Sequence, residues 1–274
     1  MLIQHQTNLK LHLTETKYGK MLIFTDDPTI GRSLDLYGEY CQPEIELLKS
    51  LSNKNTWFVD IGANIGTHTI PMSFHVDRVI AFEPDIENYS LLGKNVAGLC
   101  PVKNNVTVTH MAIGDTLVEV DTKFDFGKTK VVQGTGVKSA PLDVLGLPKV
   151  DLVKIDVEGQ ELKVLAGMRS ILNTEKPDML IEMQDETTYA ETYDFLESCN
   201  YKAYWFPVST YNKNNQKNNT NDVFGPKHGV INWVCTAYGL NTELEPVVDR
   251  DDTVERMVYR SRENVGNDTT NGGR

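Results

Sequence analysis

Residues 59–69 read VDIGANIGTHT, and residues 81–85 read AFEPD. The first stretch is an apolar run closed by an acid, Asp60, and followed by a Gly-x-x-x-Gly turn. The second is an apolar run closed by another acid, Glu83. A strand, a glycine turn, a helix and a second strand with an acid at its tip is how an α/β sheet holds a nucleoside-bearing cofactor. Glycine lets backbone approach the ligand, and the second acid can accept hydrogen bonds from both ribose hydroxyls. On this reading Asp60, Gly62, Ala63, Asn64, Gly66, Glu83 and Pro84 form the cofactor segment.

A dinucleotide site wants G-x-G-x-x-G, whose middle glycine clears space for the pyrophosphate. Asn64 stands at that position here. S-adenosylmethionine has no pyrophosphate. It carries a sulfonium and an ammonium, and Asp60 puts negative charge where such a cation can lie. S-adenosylmethionine therefore fits better than NAD. An NAD(P)-dependent oxidoreductase is the alternative enzyme class, and a non-catalytic binding subunit on the same fold is the alternative outside catalysis.

Outward from these two strands the chain alternates strand and helix signals. Strands are expected at 57–61, 78–82, 106–111, 151–157, 178–183, 201–206 and 230–236, with helices at 43–51, 65–75, 86–97, 160–172 and 187–199. Such alternation implies parallel pairing through right-handed crossovers. Residues 9–24 alternate apolar and polar around Lys17-Tyr18-Gly19-Lys20 and read as a β-hairpin. Residues 117–133 read as a second hairpin turning at Asp125-Phe126-Gly127-Lys128. Six of the ten residues 212–221 are Asn, a composition expected to form a mobile loop. The expected organisation is an N-terminal hairpin and lead-in over 1–40, a single cofactor-binding domain over 41–239, and a polar, flexible tail over 240–274.

Residues 151–159, DLVKIDVEG, add a lysine inside a central strand, a position that requires a partner. Asp156 is two residues on, and Glu182 closes the next strand. Ligands bind beyond the carboxyl ends of strands in open α/β sheets. Asp60, Glu83, Asp115, Asp156 and Glu182 all fall at such ends. The expected reacting set is therefore Asp156, Glu158, Glu182 and Lys154, with Asp115 reaching the adenine and Asp156 also bordering the cofactor. The acids suit either a general base or Mg²⁺ or Ca²⁺; if a metal binds, Asp156, Glu158 and Glu182 are its ligands. The six histidines form no metal set: His68 is expected to pack, His75 to cap a helix, and His228 is a candidate to enter the site.

Composition narrows the partners. The 274 residues carry a formal net charge of −11, with no Lys/Arg cluster, so nucleic acid is not expected as a partner and a small or carbohydrate acceptor is. No run approaches the length of a membrane span, and the opening MLIQHQTNLK shows no secretory pattern, so a cytoplasmic location is expected. The four cysteines have no C-x-x-C spacing and are expected to be reduced thiols. Asn218 and Asn267 stand in glycosylation-acceptor triplets, matches read as chance.

GRSLDLYGEYCQPEIELLKSL, VDIGANIGTHT, AFEPD, AIGD, SAPLDVL, DLVKIDVEGQELKVLAG and MLIEMQ occur in that order over roughly residues 30–185. Together they resemble the FkbM family of S-adenosylmethionine-dependent methyltransferases. The resemblance implies a Rossmann-like class I methyltransferase fold: a mainly parallel seven-stranded sheet with helices on both faces, plus here the N-terminal β-hairpin. It implies O-methylation of a sugar or similar hydroxyl. It also implies that Ile113 with Asp115 lies near adenine, and that Asp156 and Glu158 lie at the methyl-transfer face.

Overall fold

The alternation over residues 9–24 folds as an antiparallel hairpin, β1 (Leu11–Thr16) with β2 (Gly19–Phe24), in a computed structural model that describes residues 9–99, 104–225, 227–240, 242–258 and 260. Met21, Ile23 and Phe24 face inward and pack with Ile65, Ile70 and Leu91. Asn95 ties the hairpin to the glycine turn, donating to the carbonyls of Leu22 and Ile65 at 3.0 Å each. Then follow α1 (Ile30–Tyr37) and α2 (Gln42–Ser50), the latter with Pro43 in its first turn as the sequence implies. The sequence reading gave no helix at α1.

The central sheet begins with β3 (Trp57–Ile61), α3 (Thr69–Ser73), β4 (Arg78–Glu83), α4 (Ile86–Lys94) and β5 (Val106–His110). Helix α3 is shorter than the expected 65–75. Gly62, Asn64 and Gly66 all take positive φ, which breaks the helix until Thr69. A small sheet is inserted next: β6 (Ala112–Ile113), β7 (Val118–Lys123), β8 (Lys130–Gln133) and β9 (Val137–Ala140). The expected hairpin is β7–β8; its pairing with β9 was not visible in the sequence.

The chain returns through β10 (Leu152–Ile155), α5 (Glu161–Gly167), α6 (Arg169–Thr174), β11 (Asp178–Glu182), α7 (Tyr189–Ser198), β12 (Lys202–Ser209) and β13 (Gly229–Thr236). The single helix expected over 160–172 is thus two. Gly167 is the last residue of α5, and a Cβ there would lie 1.8 Å from the Gly114 carbonyl oxygen, so the position takes only glycine.

The seven-stranded sheet runs β12-β13-β11-β10-β3-β4-β5. Pairing is parallel from β11 to β5, and β13 runs antiparallel to both β11 and β12. This is the expected class I methyltransferase arrangement. Alternate residues enter opposite layers: Phe58, Leu152, Leu180 and Val234 pack with Leu48 and Met72, whereas Val59, Val153 and Ile181 pack with Val164, Leu165 and Leu196. Chain order reverses between β3 and β10, so a crevice opens beyond their carboxyl ends.

Two expectations about polar segments need correction. The Asn-rich loop is held, not loose: Asn212 Nδ2 donates to Glu39, Lys217 Nζ donates to the Asp35 carbonyl at 2.7 Å, and Tyr37 Oη donates to the Asn221 carbonyl at 2.9 Å. Asn side chains satisfy a loop's own backbone, so the segment is ordered by hydrogen bonds without an apolar core. The start of the supposed tail is also packed. Val247 and Met257 join the main core, and buried Asp252 accepts from Trp205 Nε1 at 3.1 Å and from both Arg260 Nη atoms at 2.8 Å. Residues 261–274, including Asn267, and Cys100 lie outside the described residues. Cys41, Cys199 and Cys235 are buried and unbridged.

Candidate functional site

A cavity of about 1060 Å³ occupies the crevice, and the residues around it come from both halves of the sheet. Gly62, Ala63, Asn64, Glu83, Pro84, Ile113 and Asp115 line it, and so do Lys154, Asp156, Glu158 and Glu182. Two expected cofactor residues stand back from it. Asp60 is buried at the tip of β3, and Gly66 packs against Leu92 and Ile70, giving α3 room to dock.

The turn after β3 is fixed by the neighbouring strand. Gly62 and Ala63 both donate to the Phe82 carbonyl, at 2.9 and 3.0 Å. Gly62 has φ of +84°, and a Cβ on it would sit 1.8 Å from the Asp156 carbonyl oxygen, so β3 and β10 meet here only through glycine. Asn64 donates its backbone N–H to Glu83 Oε2 at 2.8 Å, and its side-chain amide donates to the Phe126 carbonyl at 3.1 Å. The inserted sheet thereby roofs the turn, with Thr122 Oγ1 donating to Asp85 Oδ2 at 2.6 Å as a second tie.

Glu83 accepts from Asn64 and, through Oε1, from Asp85 N at 2.9 Å. Burial outweighs those hydrogen bonds and pushes its carboxyl from the ordinary 4.5 up to about 8. Asp60 Oδ2 accepts from Thr69 Oγ1, while Asp60 Oδ1 is buried with no hydrogen-bond partner.

The reacting side centres on Lys154, which is 2% exposed and lies 2.8 Å from Asp156 Oδ2. Burial alone would lower this ammonium, but the carboxylates of Asp156, Glu44, Asp60 and Glu182 outweigh it and hold Lys154 charged. Glu182 is pushed well up by burial and by Asp156, with Gln184 Nε2 donating to its Oε1 at 2.9 Å. Glu158 stands at φ of +53°, on the turn after β10, and burial carries its carboxyl up to about 7. Asp115 is exposed at the cavity edge. Among the described residues no three His, Cys, Asp or Glu side chains are grouped to hold a metal ion. Asp156, Glu158 and Glu182 thus do not converge as the ligand set the sequence left open.

Sequence reasoning missed a second polar pair. His68 lines the cavity with its Nε2 2.9 Å from Glu44 Oε2, and Glu44 Oε1 accepts from Asn232 Nδ2 at 3.0 Å. Both members are nearly fully buried. His68 is more than the packing residue expected, and Tyr40, just before α2, also lines the cavity. No spacing signal links Glu44 to His68, because Glu44 lies on α2 and His68 on the turn before α3. His228 does border the cavity, as the sequence allowed. His75 instead bonds the Ser52 carbonyl at 3.3 Å.

Residues 60–203 match the methyltransferase FkbM domain. The chain belongs to the methyltransferase FkbM family. The oxidoreductase alternative falls with that membership. A curated relative, the hexuronic acid methyltransferase AglP of Haloferax volcanii, is 33% identical over 155 residues, spanning 53% of this chain and 62% of that protein. Among solved structures, a methyltransferase FkbM from Methylobacillus flagellatus KT aligns at 18% identity with a TM-score of 0.46, covering 67% of this chain and 44% of that one. A precorrin-6y C5,15-methyltransferase from Geobacter metallireducens aligns at 17% identity with a TM-score of 0.49, covering 71% and 88%. At such scores neither likeness bears on the reaction. No helix among the described residues is long and apolar enough to cross a membrane.

Proposed function

We propose that this FkbM-family chain transfers a methyl group from S-adenosylmethionine to a hydroxyl of a sugar. One observation carries the donor half: the turn Gly62-Ala63-Asn64, whose Gly62 admits no Cβ, and the buried Glu83 carboxyl at the tip of the neighbouring strand line one cavity. This is the pairing of glycine turn and strand-end acid that holds a nucleoside. Glu83 would take the ribose hydroxyls, with Asn64, Pro84, Ile113 and Asp115 bordering the nucleoside. The Asn64 side chain, donating to the Phe126 carbonyl, stands where a dinucleotide-binding turn has its middle glycine.

When bound, S-adenosylmethionine supplies an electrophilic methyl on sulfonium, so that transfer breaks one S–C bond and forms one C–O bond. The chain's part is to align the acceptor and take its proton. Glu158 is the base of this reading: it lines the cavity, and a carboxyl near 7 is half ionised at neutral pH, where general bases work best. Asp156 and Lys154 form a fixed ion pair beneath it that orients the acceptor end. Glu182, pushed up by burial and by Asp156, borders the acceptor end with Gln184 bonded to its Oε1. The family and the hexuronic acid methyltransferase relative support a sugar acceptor.

Calorimetry with S-adenosylmethionine, S-adenosylhomocysteine and NAD tests the donor. The first two should bind and NAD should not. Mass spectrometry of a glycoside panel after incubation should then find products heavier by one CH₂ and methylated on oxygen. Binding of the donor with no such product from any glycoside would reject the sugar O-methylation reading.

A further inference from the structure

Nine carboxyl side chains line the cavity against three lysines, and Lys154 is already committed to Asp156 at 2.8 Å. The one net positive charge that S-adenosylmethionine brings does not reverse that balance. Even with the buried Glu83 and Glu182 protonated, ionised carboxylates outnumber lysines. An anion entering this space meets like charge, screened in part because Asp115, Glu119, Asp125 and Glu186 are exposed.

The polar groups at the far end suit a different ligand. β13 lies across β10 and β11 from the Gly62 turn, and Met183 donates to the Ile231 carbonyl at 2.7 Å, which brings residues 228–231 beside Glu182. His228 is held there from two sides. Its Nδ1 lies 3.0 Å from Thr210 Oγ1, and its ring stacks on Phe224 with centroids 4.9 Å apart. Phe224 is in turn fixed by Tyr37, whose hydroxyl accepts from Val223 N at 2.9 Å. Thr210 and Phe224 thus hold His228 at the cavity, leaving Nε2 without a partner among the described residues. Gln184 is held likewise by its bond to Glu182. Carboxyl, amide and imidazole groups pair with the hydroxyls of a polyol, which both donate and accept.

Resting on the sugar O-methylation reading above, we propose that the acceptor is an uncharged sugar, that a hexuronate is rejected, and that Glu158, Glu182, Gln184, Thr210 and His228 form the acceptor subsite. This sets the chain apart from the relative named for hexuronic acid.

The test compares methyl glycosides of neutral hexoses with the matching hexuronosides, using the full chain and S-adenosylmethionine. kcat/KM should favour the neutral sugar by roughly tenfold or more, and added salt should narrow the gap by screening. His228→Ala should raise KM for the neutral sugar about tenfold, the loss of one hydrogen bond, with kcat and donor Kd unchanged. A hexuronoside used as well as the neutral sugar, or an unchanged KM in His228→Ala, overturns this proposal and leaves the methyltransferase reading standing. Donor binding with neither sugar methylated overturns both.

Discussion

Donor binding should expel a proton from Glu83. The carboxyl is buried, and its pKa stands at about 8 instead of 4.5. Ribose hydroxyls donating to it would favour the ionised form, so the empty protein holds the proton and the occupied one releases it. At pH 7 a group of pKa about 8 is roughly nine-tenths protonated, so close to one proton should leave per donor bound. Below pH 8, Kd for S-adenosylmethionine should weaken about tenfold per pH unit, or about 1.4 kcal/mol, and it should flatten above. Calorimetry in two buffers of different ionisation enthalpy counts the protons, and a Kd series from pH 6 to 9 (on the order of one point per half unit) gives the slope. Glu83→Gln is the control. It cannot ionise, so the slope and the proton release attributable to Glu83 should vanish. Kd above pH 8 should worsen by about 1.5–3 kcal/mol, the worth of hydrogen bonds to a charged group. The same shift fixes the sign for folding. A carboxyl raised on folding stabilises the empty protein fully below its unfolded value near 4.5, and that contribution falls away as pH rises towards about 8. Wild-type binding without proton release and with a Kd flat across this range would refute the account of Glu83 as the ribose acceptor.

Glu158→Gln should lower kcat by about 10²–10⁴-fold with donor Kd unchanged, and should abolish the acid limb of the rate profile, which in the wild type rises through pH near 7. Steady-state rates across pH check it. Gly62→Ala places a Cβ 1.8 Å from the Asp156 carbonyl oxygen at a φ of +84°, so donor binding should be lost in calorimetry and the protein should unfold at a lower temperature. Lys154→Met removes the ammonium that offsets Asp156, Glu44, Asp60 and Glu182. The stranded charges should cost about 3–5 kcal/mol in a denaturant melt, with part of the loss recovered as pH falls and the carboxylates protonate.

How far the chain could be read in advance differs element by element. The strand at 57–61 was legible to the residue because an unbroken apolar run ends in Asp60 and a glycine. The helix after it was not. Periodicity extends through residues 65–75, but Asn64 and Gly66 take positive φ, the helix starts only at Thr69, and only backbone geometry records this. The Asn-rich loop was misread for a related reason: its order comes from hydrogen bonds to Tyr37, Glu39 and Asp35, residues far away in the chain. Val247 and Met257 were passed over because two apolar residues in a polar stretch give no pattern, although both are buried.

Local sequence alone determined the strand-turn-strand around Asp60 and Glu83, the parallel sheet and the family, since these follow from residues that are neighbours in the chain and from a periodicity each segment carries within itself. Tertiary structure alone decided that Glu44 stands 2.9 Å from His68, that Asp60 keeps one oxygen unpaired, and that Glu83 and Glu158 are pushed towards neutral pKa values near 8 and 7. Those properties depend on which groups exclude water from a carboxylate and which charges face it, and the partners come from strands and helices that meet only when the sheet closes.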